Sequence, residues 1–243
     1  MGGGDSSPPY PVGVSETSTR ALVISHVAAV VCDGDPGHPT RVAIDGVTAS
    51  GKSTFARELT AAVSELGRPA IHLTMDGFHH HREHRYRRGR LSADGYYEDA
   101  YDFAALAELV LIPLGPGGDR RYRTRVIDLA SDAEIGEAPV EAPADAVVIV
   151  DGSFLQRPEL AGLWDHRILI ETDLAVARHR GTVRDARQLG GLAKAEHVYD
   201  ARYHAAARRY LAAVDPAARA TLIVENTDLE HPRLRTGVAP ETR

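Results

Sequence analysis

Cysteine, lysine and any surplus of positive charge are what this chain lacks. The single cysteine, Cys32, excludes an internal disulfide and fits a reducing compartment. No apolar run is long enough to span a bilayer. The opening Met1-Gly-Gly-Gly-Asp-Ser-Ser-Pro-Pro lacks the charged-then-apolar order of a secretion signal, so the cytoplasm is the expected compartment. The formal net charge is −6, which argues against a general nucleic-acid or membrane-surface binder. Of 28 basic residues only Lys52 and Lys194 are lysines. Such a bias reads as genome composition, and a lysine that persists against it is informative.

What is present suits one α/β domain. The 243 residues are 43% hydrophobic, enough for a sizeable core. Short runs rich in Val, Ile and Leu at Arg41–Asp45, Ala70–Met75, Val147–Asp151, Arg167–Glu171 and Thr221–Glu225 read as strands buried on both faces. Helical stretches separate them: Lys52–Leu66 stopping at Gly67, Phe103–Leu111 before Pro113, Leu174–Leu189, and Ala193–Val214 before Pro216. An opening helix over Thr17–Val31 also fits. The alternation predicts a mostly parallel five-stranded sheet with crossover helices. Residues 77–101, crowded with His, Arg and Tyr, and 114–142, with a suggestion of a hairpin or flap, are too long for idle connections. Residues 1–16 and 236–243 read as flexible tails around a domain over 17–235.

The segment from Gly46 to Ser53, GVTASGKS, matches G-x-x-x-x-G-K-[ST]. Glycines permit a tight turn whose successive N–H groups point inward at phosphates, and the following helix offers its positive end to the same anion. Gly46, Thr48, Ala49, Ser50, Gly51, Lys52, Ser53 and Thr54 are thus the expected triphosphate cradle, with Lys52 on the β and γ phosphates and the Ser53 hydroxyl on magnesium. From the chain's own residue frequencies such a match arises by accident in about two chains per thousand. Asp151, ending VVIVD, is the second magnesium ligand expected at the end of a buried strand.

A GTPase would carry Asn-Lys-x-Asp, and Asn226-Thr227-Asp228 lacks the lysine. A motor or remodelling ATPase would normally need a larger chain. A compact phosphotransferase fits the length. The order of blocks resembles the uridine kinase branch of the phosphate-loop kinases, relatives of pantothenate kinase and phosphoribulokinase. Those blocks are GVTASGKST, Met75-Asp76-Gly77-Phe78-His79, Gly95–Phe103, RRYRTRVID at 120–128, VVIVDGSFL at 147–155, and an Arg-rich helix over Ala177–Gln188. The resemblance runs from about Arg41 to Leu234 and implies a three-layer α/β/α kinase fold with a helical lid over 177–191.

It also implies roles. Asp76 matches the general base that takes the acceptor's proton. Lid arginines, among Arg178, Arg180, Arg184 and Arg187, would stabilise the transferring phosphoryl, with Arg178 also serving the triphosphate. The segment Glu225–Pro232, with Asn226, would border the adenine. ATP and magnesium are the implied cofactors. Phe78, His79, Tyr96, Tyr97, Tyr122 and Arg123 are the expected acceptor contacts, and the acceptor a small molecule, a uridine- or cytidine-like nucleoside. Another small alcohol, or a non-catalytic ATP-binding or RNA-associated module, is the alternative; Arg82–Arg90 (REHRYRRGR) is read as a charged loop at the site mouth. No nucleic-acid or membrane partner is expected, and self-association is compatible with the sequence. Three departures stand out. Asp151 replaces the family's usual Glu, the lid reads Ala-Arg-Gln-Leu-Gly-Gly at 186–191 rather than Glu-Arg-Gly-Arg, and the aspartate that grips ribose near Tyr96 is missing or displaced to Glu98 or Asp99.

Overall fold

In the computed structural model, residues 20–237 are described. The expected tail at 1–16, the start of the helix expected from Thr17, and residues 238–243 lie outside them. Helix α1 (Arg20–Cys32) precedes strand β1 (Thr40–Asp45), which runs through the phosphate loop into α2 (Lys52–Glu65). Strand β2 (Ala70–Thr74) follows, then β3 (Val147–Gly152) and β4 (His166–Glu171). A helical hairpin of α3 (Leu174–Leu189) and α4 (Leu192–Val198) continues through a π-turn at Tyr199–Tyr203 into α5 (His204–Val214). Strands β5 (Leu222–Glu225) and β6 (Arg233–Thr236) close the chain.

The sheet has six strands in the order β6-β5-β4-β1-β3-β2. Five are parallel, as the sequence predicts; β6 adds an antiparallel edge on β5. Thr236, where a tail was expected to begin, ends that strand and pairs with Leu222.

Strand alternation divides the core into two. Val42, Ile44, Val147, Ile149, Ile168 and Ile170 face α1 and α2, where they meet Val27, Phe55 and Leu59. Ala43, Val148 and Val150 face an aromatic-rich layer holding Phe78, Tyr96, Tyr97, Phe103, Phe154 and Tyr210. Burying a residue such as Phe55 or Ile44, both fully buried, contributes about 1.5–3 kcal/mol.

Register places the chemistry. Asp151 of β3 lies beside Ile44 of β1 on one side and Thr74 of β2 on the other. The phosphate loop, Asp151 and the turn carrying Asp76 (Met75–Phe78) therefore emerge together at the carboxyl ends of adjacent parallel strands, where ligands bind in open α/β sheets. The long stretch at 114–142 folds as two short antiparallel pairs, Arg121–Tyr122 with Val140–Glu141 and Ile127–Asp128 with Ala133–Glu134, matching the expected hairpin.

Candidate active site

The loop is braced from beneath. Asp45 is fully buried at the end of β1. One carboxylate oxygen accepts the Gly46 N–H at 2.8 Å, and the other accepts the Tyr210 hydroxyl and, at 3.3 Å, the Gln156 amide. Burial pushes this carboxyl above the usual range, and the Tyr210 hydrogen bond pulls it back. Above it, Ala49 (φ 66°) and Gly51 (φ 94°) take left-handed conformations, which curl the backbone into a nest of inward N–H groups. A Cβ at Gly51 would lie 2.5 Å from Asn226 Nδ2, so the position admits only glycine without displacing that amide.

Lys52 is half-buried, its Nζ donating to the Val47 carbonyl at 3.2 Å. Desolvation lowers its pKa, opposed by the charges of Asp151, Asp76 and Asp45 in that order. Ser53 Oγ donates to Asp151 Oδ2 at 2.5 Å, while His72 Nε2 lies 2.8 Å from Oδ1. A hydroxyl and a carboxylate are hard oxygen donors, and two protein ligands suit a magnesium ion that keeps waters and phosphate oxygens in its other positions.

Of these groups Ala49, Lys52, Ser53 and Asp151 line one cavity of about 450 Å³, together with Thr48 and Asp76. Asp76 is exposed, so its carboxylate is free to meet a ligand. The far wall is aromatic and cationic: His79, Arg85, Tyr86, Tyr96, Tyr101, Arg202 and Tyr203. The Tyr96 hydroxyl lies 3.3 Å from Thr48 Oγ1 and 3.0 Å from the Tyr101 hydroxyl, which ties this wall to the loop. His79 packs against Tyr101 with ring centroids 4.3 Å apart and planes tilted by 48°. Burial lowers its pKa to about 4, so the imidazole is neutral at pH 7. From α3, Arg184, Asp185, Gln188 and Leu189 reach the same cavity.

No protein-family model matches the sequence. Among solved structures, the chain is similar to a candidate fructose transport system kinase from Silicibacter sp. TM1040, with TM-score 0.66 and 28% identity over 81% of this chain and 96% of that one. It is similar also to a candidate uridine kinase from Bacillus stearothermophilus, with TM-score 0.65 and 20% identity over 82% and 96%. A third, the protein YGR205w, matches over 90% of this chain and 99% of its own at TM-score 0.62 and 11% identity. The fold is the three-layer α/β/α fold of the P-loop kinases, to which these neighbours belong.

Within that kinase fold, the structure brings together Thr48, Ala49, Lys52, Ser53, Asp76, His79, Tyr96, Asp151 and Arg184 around one cavity. Other expected residues stand elsewhere. Phe78 is fully buried beneath the turn that carries Asp76. Tyr97, one step along the short helix Ala93–Glu98 from Tyr96, points the other way and packs on Phe154 and Tyr210 under the Arg157 guanidinium. Tyr122 lines a separate hollow beyond Asp76, with Ile71 and Leu73. Arg123, half-buried, gives its backbone N–H to Leu109 and lines neither space.

The lid arginines divide similarly. Arg184 meets the cavity, held by Asp185 at 2.7 Å and the Tyr199 hydroxyl at 3.3 Å. Arg180 donates to the Asn226 and Thr227 carbonyls at 3.1 and 2.6 Å, tying α3 to the end of β5. Arg178 pairs with Asp200 and Glu196 away from the cavity, and Arg187 is exposed. Asn226 uses its side chain on the protein itself: Nδ2 donates to the Ser50 carbonyl at 2.7 Å and Oδ1 accepts from Arg20 at 3.1 Å. It braces the loop, and that amide is not displayed to a base.

Several cavity residues were not foreseen: Tyr101, Arg85, Tyr86, Asp185, Arg202 and Tyr203, with Asp45 beneath. Asp45 carried a readable signal, because it ends an apolar strand (RVAID) just as Asp151 does. The others come from helices and their ends, and in the case of Tyr101 from a β-bridge to His79, whose facing the sequence does not specify.

Proposed function

We propose that this protein is an ATP- and magnesium-dependent kinase that phosphorylates a hydroxyl of a small molecule. The observation that carries this reading is the convergence of Lys52, the Ser53–Asp151 pair and the exposed Asp76 on one cavity. The likeness to candidate kinases of two kinds supports phosphoryl transfer without choosing the acceptor. The loop amides and Lys52 would hold the triphosphate, and Ser53 with Asp151 would hold magnesium, which neutralises charge on the phosphates. Asp76 then orients the acceptor hydroxyl and takes its proton. Arg184 stands where charge on the transferring group can be met from the lid side.

The nucleoside expected from the resemblance needs an acid to clamp the ribose diol, and neither displaced candidate is free for it. Asp99 is ion-paired with Arg87 and Arg88, and Glu98 with Arg157 and Arg209. Neither lines the cavity. This favours a small alcohol other than uridine or cytidine. The test is ATP consumption across nucleosides, sugars and vitamin alcohols, with the product identified by mass. Turnover of uridine above every other alcohol would reject the narrower reading, and no phosphorylated product from any acceptor would reject the kinase.

A further inference from the structure

Buried arginines in this molecule come with carboxylates, with one exception. Four are buried among the described residues: Arg41, Arg85, Arg157 and Arg202. Arg41 lies 2.9 Å from Asp165, Arg85 lies 3.1 Å from Asp132, and Arg157 lies 3.2 and 2.7 Å from Glu98 and Glu159. Arg202 is only 4% exposed, yet no carboxylate of the described residues comes within ion-pair distance of it. A buried charge without a counter-charge is costly, and proteins normally pair it.

Arg202 is nonetheless firmly held. Its Nη1 donates to the carbonyls of Arg90 and Ser92 at 3.0 and 3.4 Å. Its guanidinium carbon lies 5.0 Å from the ring centroids of Tyr86 and Tyr96 and 6.0 Å from that of Tyr203. Those contacts fix the plane of the group and leave Nε and Nη2 without a hydrogen bond among the described residues, while Arg202 lines the cavity. Two free N–H edges of one planar fork are the geometry that receives a carboxylate or phosphate.

Charge around the cavity points the same way. Arg85 is answered by Asp132 and Arg184 by Asp185, while Lys52 and Asp151 serve the phosphates and metal. His79 is neutral at pH 7. Asp76 remains as the base, and Arg202 as a cation that the described residues leave unanswered on the acceptor wall.

We propose that the acceptor carries an anionic group, a carboxylate or a phosphate, seated against Arg202, with the hydroxyl to be phosphorylated directed at Asp76. This rests on the kinase reading and narrows its substrate class to hydroxy acids and phosphorylated alcohols. The reaction balances without another reactant: the hydroxyl oxygen bonds the γ-phosphorus, the bond from that phosphorus to the bridging oxygen of ATP breaks, ADP leaves and the proton passes to Asp76.

Matched acid and neutral acceptors test it: glycerate against glycerol, pantothenate against pantothenol, fructose 6-phosphate against fructose, and uridine 5′-monophosphate against uridine. Product mass and kcat/KM are read for each. In the pair turned over best, the acid should exceed its neutral partner by about ten- to a hundredfold, the worth of a hydrogen bond to a charged group. The first two pairs report a carboxylate and the last two a phosphate. Arg202→Gln should bring the ratio toward one, whereas a role confined to pinning residues 90–92 would depress both members alike. A ratio of one or less in the best pair of the unsubstituted protein overturns the proposal while leaving the kinase standing. If no acceptor is turned over, thermal stabilisation is read with magnesium and a non-hydrolysable ATP analogue present. A shift by acids and not by their neutral partners then upholds the anion seat and rejects the kinase; no selective shift rejects both.

Discussion

The two ends of the cavity are built differently. At the donor end, every group sits on or just past a strand of the sheet. Asp45 ends β1, the loop follows it, and Asp151 is locked in register between Ile44 and Thr74. At the acceptor end, the wall comes from residues 79–101 and from the π-turn at Tyr199–Tyr203, held by rings packed tilted or edge-on against rings and by arginines over tyrosines. The donor end is fixed by backbone pairing and the acceptor end by side-chain packing. Phosphates are the same in every such reaction, so a rigid cradle suits them. An acceptor wall made of side chains can be altered one residue at a time without disturbing the sheet.

That contrast can be broken from either side. The largest effect is expected at the junction, where Asp76→Asn should lower kcat by about a hundred- to ten-thousandfold, the usual contribution of a general base. ATP affinity in the same variant, measured by calorimetry, should be nearly unchanged, since Asp76 belongs to the acceptor side. Next is Lys52→Met, which removes a donor aimed at developing charge and should cost about a hundred- to a thousandfold in kcat/KM. Here ATP affinity falls as well, and steady-state assays with a binding titration separate the two cases.

A smaller effect, on stability, is expected beneath the loop. Tyr210→Phe leaves the buried Asp45 carboxylate short of a donor, which should cost about 1–3 kcal/mol in urea unfolding. If that variant keeps full stability, the brace under the donor end is not carrying the loop.

The smallest effect concerns pH. His79, with a pKa near 4 against an ordinary 6.5, and His80, His166 and His204, all lowered by burial, resist protonation in the folded state. Between about pH 6.5 and 4 the unfolded chain binds more protons, so stability should fall as pH drops through that window. Thermal midpoints at pH 7.5 and 5 should show the fall, and His79→Asn should make it shallower.

The sequence was readable where the pattern is local. Continuous apolar runs located five strands to within a residue or two, and the spacing around Lys52 located the loop. The acceptor wall depends on facing, which has no local signature. Tyr96 and Tyr97 are neighbours in the chain and both pack in the aromatic core, yet only Tyr96 reaches the cavity. The helix expected over Ala193–Val214 contains a π-turn, whose extra residue per turn shifts the faces that follow. Arg202 and Tyr203 lie within it, so an ideal helical projection misplaces them. Asn226, which the resemblance sets beside the adenine, spends its side-chain amide on the Ser50 carbonyl, a partner that no local pattern names.

The antiparallel strand β6 bears on self-association. Without it, Leu222–Val224 of β5 would offer an open row of N–H and C=O groups on an apolar strand, a template for another chain. In its place stands a four-residue strand carrying Arg233 and Arg235, the latter ion-paired with Glu171 and Glu225. Short length and positive charge make a poor surface for strand addition. The last strand of the described chain is thus a guard on the sheet's edge, and trimming the protein before Arg233 would exchange a charged border for an adhesive one.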